Sequence, residues 1–210
     1  MSKKKITVID YGCGNIFSLR RILNKLGYEV EISNNPESIS QADKIILPGV
    51  GAFEIGIKNL RKNNLDESLN LFLSKGNFLM GICLGMQLLM DKSDEFGTHE
   101  GLKLISGDVT KLDKSKNFPV PHIGWSKIDT SYSENNNDNF LLNIRNSSFF
   151  YFIHSFQVKV KNKKNALSFT EYGENNFCSI VNFENIYGTQ FHPEKSGKVG
   201  EKLLSNFLSK

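Results

Sequence analysis

Phe78-Leu79-Met80-Gly81-Ile82-Cys83-Leu84-Gly85-Met86-Gln87-Leu88-Leu89-Met90 is the stretch on which the fold turns. An apolar run suited to a buried strand enters it, and a series of good helix formers, Met86 to Met90, leaves it. Between them lies a cysteine in the spacing Gly-x-Cys-x-Gly. A strand that passes so abruptly into a helix has no room for side chains beside the turn, hence the flanking glycines, and it holds the central residue out at the sheet edge. Strand, tight turn and helix in that order belong to parallel α/β architecture.

Working outward, the N-terminal half repeats the theme. Residues 6–10, 28–33 and 44–47 are β-rich runs, 16–26 carries apolar residues at helical spacing, and 55–74 is a polar helical stretch leading back to strand 78–82. Strand and helix alternating at this spacing predict βαβ units, helices on both faces, and ligand chemistry at the C-terminal ends of the strands. After about Leu102 the pattern becomes closely spaced strands at 149–153, 156–160, 167–172, 177–183 and 186–191, with Tyr172-Gly173-Glu174-Asn175 as a turn. That half is expected to be mixed or antiparallel, closed by a helix over 198–208, with the Asn-rich run 133–139 as an exposed loop. The expected class is α/β: a mostly parallel open sheet flanked by helices, with added mixed or antiparallel strands, in one domain spanning 1–210.

Composition narrows the function. The 210 residues are 39% hydrophobic, enough for a substantial core, and the 26 basic and 22 acidic side chains are dispersed, giving a net charge of +4 without a basic stripe. That argues against nucleic acid as a partner. No apolar run approaches the length of a membrane span, and residues 6–9 are too short for a signal-peptide core. Three cysteines without a Cys-x-x-Cys pair point to a reducing compartment, the cytoplasm. No metal and no cofactor are expected. Gly12-Cys13-Gly14-Asn15 begins like a dinucleotide fingerprint, but Phe17 stands where its third glycine belongs, so it is a strand-to-helix turn.

Cys83 is the candidate nucleophile, Cys13 and Cys178 reading as small buried hydrophobes. Unpaired amides at a helix N-terminus favour a thiolate, and the amide of Leu84 would help hold an oxyanion. Of the four histidines, His99 lies in a polar loop and is expected to be solvated, while His122, in Pro121-His122-Ile123-Gly124-Trp125, and His154, in a strand-like segment, read as structural or interface residues. His192 ends an apolar run and precedes Pro193 and Glu194. Proline keeps the preceding residue extended, and residues two apart in an extended chain share a side, so Glu194 can orient the ring whose other nitrogen faces Cys83. Pro48-Gly49-Val50-Gly51 leaves the third strand with amides free to approach a substrate carbonyl.

Gly81-Ile82-Cys83-Leu84-Gly85-Met86-Gln87, Pro48-Gly49-Val50-Gly51 and His192-Pro193-Glu194-Lys195-Ser196, in this order, resemble the class I glutamine amidotransferases, a likeness running from Asp10-Tyr11-Gly12 to the terminal helix. Pro121-His122-Ile123-Gly124-Trp125 and Tyr151-Phe152-Ile153-His154-Ser155 bring it nearest the glutaminase subunits of imidazole glycerol phosphate synthase. The resemblance implies a flavodoxin-like amidotransferase fold in which Cys83 is nucleophile, His192 base and Glu194 its orienter. It implies that Gly51, Gln87, Glu95, Ser155 and Phe156 hold L-glutamine, and that Val50, Gly51 and Leu84 form the oxyanion site. It also implies a (β/α)8-barrel cyclase partner docked at Trp125, Tyr151 and Lys195, receiving ammonia to make imidazole glycerol phosphate and a purine-pathway carboxamide (AICAR) in histidine biosynthesis. Ser126 stands where the family usually has Asn, and Phe156 where it often has Tyr. Two other readings stay open on sequence: a paralogous subunit supplying ammonia for amidine formation on surface-glycan sugars, and a scaffold subunit without catalysis. Other elbow cysteine enzymes usually place His directly after the cysteine, where this chain has Leu84.

Overall fold

In a computed structural model, residues 4–131 and 139–210 are described. The chain begins β1 (Lys5–Ile9), α1 (Ile16–Lys25), β2 (Glu29–Ser33), α2 (Pro36–Ser40), β3 (Lys44–Leu47), α3 (Phe53–Lys62), α4 (Leu65–Ser74), β4 (Phe78–Ile82) and α5 (Leu84–Leu88). It continues through β5 (Lys92–Ser93), β6 (His99–Glu100), β7 (Gly107–Lys111), β8 (His122–Lys127), β9 (Phe149–His154), β10 (Phe156–Val160), β11 (Ala166–Tyr172), β12 (Asn175–Phe183) and β13 (Ile186–Thr189), and ends in α6 (Gly197–Leu208).

The main sheet runs β2-β1-β3-β4-β13-β12-β10-β7-β5-β6, with β11 on β12, while β8 and β9 form a separate antiparallel pair. From β2 to β13 every pairing is parallel, and the pairings of β12 with β13, β10 and β11 are antiparallel. The chain goes outward from β1 to β2 and returns across β1 to β3. This reversal opens a crevice at the C-terminal strand ends. Beside it, β3, β4 and β13 all end at the same edge.

Because side chains alternate along a strand, both faces of this sheet are apolar and each takes a helical layer. Ile6, Val8, Ile46, Met80 and Ile82 meet Leu19, Ile22 and Leu23 of α1 and Leu203, Leu204 and Phe207 of α6. On the other face Ile9, Ile45, Leu47 and Leu79 meet Phe53, Ile57 and Leu60 of α3 and Leu65, Leu69 and Phe72 of α4. Among the described residues no helix is long and apolar enough to cross a membrane.

Several local expectations need correction. The helical stretch over 55–74 is two helices, because Asn64 turns left-handed at φ 54°; asparagine is among the few non-glycine residues that adopt this state routinely. The five residues of α2 were too few to show a period, yet Asn35 caps them by accepting from Glu37 and Ser38, with Pro36 at the first helical position. The helix formers 86–90 give only the short α5, ending at Leu88, and the last strand stops at Thr189 rather than at 191. Of the loop expected at 133–139, residues 133–138 lie outside the described residues, and Asn139 opens a 3-10 turn.

Candidate active site

Cys83 joins β4 to α5 with φ 54° and ψ −108°. For a residue with a side chain this is a sparsely populated conformation, costing about 1–3 kcal/mol. Its surroundings impose it. The Cys83 amide donates to the Thr189 carbonyl at 2.7 Å, and its own carbonyl accepts from Gln87 N at 3.1 Å. A methyl group on Gly85 would stand 1.9 Å from the Leu47 carbonyl oxygen, and one on Gly81 would stand 2.7 Å from the Gly85 carbonyl. The glycines are there because backbone packs on backbone. Since α5 is barely more than a turn, its macrodipole is small; what it offers the sulfur is the amides of its first turn, Leu84 among them.

His192 approaches from the end of β13. It is buried, and its backbone N–H donates to the Tyr151 carbonyl at 2.9 Å. Ring Nδ1 pairs with Glu194 Oε1 at 2.7 Å, the side chains being only 2% and 4% exposed. The carboxylate arrives by a route other than the extended chain expected from sequence: Pro193–Lys195 is a 3-10 turn. Pro193 suits the start of that turn, and Ser196 Oγ, which donates to His192 O at 2.6 Å and accepts from Tyr151 N at 3.0 Å, pins its far end to β9. Nε2 is buried without a hydrogen-bond partner among the described residues. Burial opposes charge on this ring, but a thiolate on Cys83 together with the Glu194 carboxylate outweighs it, holding His192 well above its ordinary value.

A cavity of about 260 Å³ opens at Cys83, and its walls include Val50, Gly51, Leu84, Gln87, Glu95, Ser155 and Phe156. Every oxyanion and substrate residue anticipated from sequence thus faces one space. It is smaller than the roughly 300–1,000 Å³ of drug-sized sites and suits a single amino acid. Gly51 has φ +115°. The loop before it is tied down by Tyr11, whose hydroxyl donates to Pro48 O at 2.6 Å. Glu95 commits one oxygen to the Phe53 amide at 2.6 Å, supplying α3 with the cap that Ala52 cannot. Gln87 Nε2 donates to Phe156 O at 3.0 Å and to Gln190 Oε1 at 3.1 Å.

Sequence reasoning missed several contributors. Pro121, Ile153 and His154 also line the cavity. The Ile153 carbonyl lies 3.7 Å from Cys83 Sγ, and Gln190 Nε2 is equally near at 3.7 Å. Carbonyls leave no trace in sequence, and sequence reasoning gave neither Tyr11 nor Gln190 a role.

The remaining candidates fall as follows. His99 is only partly solvated: it lies in β6, half-buried, with Nε2 4.0 Å from Glu54 Oε2. His122 and His154 are buried against each other, Nδ1 to Nε2 at 3.1 Å. Cys13 and Cys178 are buried free thiols, and burial pushes Cys178 up to about 12, leaving it inert. Trp125 and Tyr151 are cross-strand partners with ring centroids 6.0 Å apart, and Lys195 Nζ lies 6.0 Å from the Tyr151 ring. These three side chains form one cluster beside the turn that carries Glu194.

A sequence profile of "Glutamine amidotransferase class-I" matches residues 7–210. The chain is 46% identical to imidazole glycerol phosphate synthase subunit HisH 2 of Methanococcus maripaludis, over 97% of this chain and 98% of that one. It is 41% identical to subunit HisH 1 of Legionella pneumophila, with 97% and 98% covered, and 39% identical to subunit HisH of Helicobacter hepaticus over all of both chains. Among solved structures, PurLQS from Thermotoga maritima superposes with a TM-score of 0.74 at 18% identity, covering 99% of each chain. A crystal structure of a glutamine amidotransferase gives 0.73 at 16% identity, covering 97% of each. At such identities these two likenesses speak for the fold alone.

Proposed function

Given that the chain belongs to the class-I glutamine amidotransferase family, we propose that it is the glutaminase subunit of an imidazole glycerol phosphate synthase, residues 1–210 acting as one amidotransferase domain. The observation that carries the chemistry is the buried His192–Glu194 pair set behind an elbow cysteine whose sulfur opens into a cavity of amino-acid size.

The Cys83 thiolate attacks the side-chain carboxamide carbon of L-glutamine, forming a C–S bond, and the carbonyl oxygen takes up the negative charge. In this reading the amides of Leu84 and of the Val50-Gly51 segment receive that charge. His192 gives its proton to the departing nitrogen as the C–N bond breaks, releasing ammonia and leaving a thioester on Cys83. The ring, neutral again, takes a proton from water as its oxygen attacks the thioester, and glutamate leaves with the thiolate restored. Glu194 keeps the Nδ1 proton in place and balances the imidazolium. Gln87, Glu95, Ser155 and Phe156 hold the glutamine.

Ammonia then passes to a (β/α)8-barrel cyclase bound over Trp125, Tyr151 and Lys195, which makes imidazole glycerol phosphate and AICAR in the cytoplasm. The HisH identity of relatives at 39–46% over nearly the whole chain supports this partner over a surface-glycan synthase. The test is glutamate release from glutamine by the chain alone and with the histidine-pathway cyclase, each repeated with Cys83→Ala. Release that needs Cys83 and couples to imidazole glycerol phosphate formation is expected. Release that persists in Cys83→Ala, or that never couples to the cyclase, would reject the reading.

A further inference from the structure

Gln190 takes no part in the steps above, yet it is fully buried and its Nε2 lies 3.7 Å from the reacting sulfur. Its neighbours dictate which end of the amide faces Cys83. The Phe156 carbonyl can only accept, so both groups bonded to it donate: Gln87 Nε2 at 3.0 Å and His154 Nδ1 at 2.9 Å. The same Gln87 nitrogen directs its second hydrogen to Gln190 Oε1 at 3.1 Å. That engages the oxygen of Gln190 and turns its NH2 toward the sulfur. A flipped Gln190 would set NH2 against NH2.

The other branch from Phe156 runs the same way. With its proton on Nδ1, His154 accepts at Nε2 from His122 Nδ1 at 3.1 Å, and His122 Nε2 accepts from Ser126 Oγ at 2.9 Å. Burial drives both rings toward neutrality, His122 down to about 4 and His154 to about 3, so each has one donor and one acceptor. Every bond between Ser126 and Cys83 therefore has one permitted direction.

We propose that Gln190 is a further catalytic residue, donating an N–H to the Cys83 sulfur so that the thiolate is favoured and its direction fixed. The proposal rests on Cys83 being the nucleophile, as argued above. A thiolate accepts such a bond far better than a thiol does, and the Gln190 amide bears no charge of its own to titrate. The titratable groups around the sulfur are His192, coupled to Glu194, the buried Tyr11 hydroxyl, which is raised first by burial and then by Cys13 and Cys83, and His154 and Glu95, which line the same cavity.

The experiment is the pH dependence of Cys83 alkylation by iodoacetamide in the full chain and in Gln190→Met, a nearly isosteric change without the donor. The modified residue is identified by mass spectrometry, with Cys83→Ala as background. The midpoint should rise by about one pH unit, and both alkylation at neutral pH and kcat for glutamine should fall about tenfold with KM kept, the lower end of what a hydrogen bond to a charged group is worth. A folded Gln190→Met with the wild-type midpoint and rate overturns the proposal. Should that variant not fold, the Gln190 side-chain amide resonances of the wild-type chain decide: movement on alkylation of Cys83 supports the contact, and unmoved resonances refute it. Alkylation does not require glutamine as substrate, so a shifted midpoint in a chain that never releases glutamate would retire the glutaminase reading alone.

Discussion

Replacing Glu194 by Gln isolates the charge of the orienting carboxylate. The 2.7 Å contact between His192 Nδ1 and Glu194 Oε1 is buried on both sides, so solvent cannot replace it. A hydrogen bond to a charged group contributes about 1.5–3 kcal/mol. At about 1.36 kcal/mol per decade, losing it lowers the rate roughly 10- to 150-fold. The substitution brings a second penalty, because Glu194 Oε2 is itself buried with no partner among the described residues. The introduced carboxamide would either strand its NH2 there or turn it against Nδ1, forcing the ring proton onto the nitrogen that must serve Cys83. The second orientation extends the loss toward about 10⁴-fold, as a wrong tautomer does in other triads. The assay is glutamate release at saturating glutamine in the cyclase complex, with KM measured alongside. Because the carboxylate raises His192, the pH profile should shift down in the variant. The sign for stability follows: a raised folded pKa stabilises below the unfolded value of about 6.5 and loses that contribution as pH rises through the folded one. Wild type should thus exceed the variant by more at pH 6 than at pH 10. Unchanged kcat with an unchanged pH profile would show that Glu194 does not orient the ring.

His154 has the opposite linkage, since burial lowers it to about 3: stability present above pH 6.5 is lost as pH falls, by roughly 2 kcal/mol at pH 5, with His122 adding in the same sense. Urea unfolding at pH 7 and 5 should show this drop and a smaller one in His154→Gln. Gly85→Ala drives a methyl into the Leu47 carbonyl; a stability loss of about 1–3 kcal/mol or more and loss of glutaminase activity are expected, and a stable, active variant would contradict the packing at the elbow. A methyl on Gly51 would meet nothing within 4 Å, but the residue sits at φ +115°, so Gly51→Ala tests backbone conformation alone. A penalty of about 1–3 kcal/mol for such a sparsely populated conformation should lower kcat roughly 5- to 150-fold with KM little changed, and wild-type kcat would remove the loop from the oxyanion site. The two glycines of Pro48-Gly49-Val50-Gly51 also allow the intervening peptide to flip. The chain alone should therefore turn over glutamine at least about 10²-fold more slowly than the complex with acceptor bound, one oxyanion donor being worth that much; equal rates would refute the switch.

The sequence alone determined the features that are local or periodic. The run 78–82, Gly-x-Cys-x-Gly and the helix formers after it specify a strand, an elbow and a helix, because a two-residue alternation and the steric demand of a tight turn are written in neighbouring residues. The pairing of His192 with Glu194 was equally legible, two residues apart, although the turn that achieves it was not. Tertiary structure alone decided what depends on which strands become neighbours. Setting β13 beside β4 brings Thr189, Gln190 and His192 to Cys83 from more than 100 residues away, and packing β3 against the elbow requires Gly85. The direction of the hydrogen-bond chain from Ser126 to the sulfur was likewise invisible in sequence, since its pivot is the Phe156 carbonyl, a backbone atom that every residue type carries and only a fold can aim.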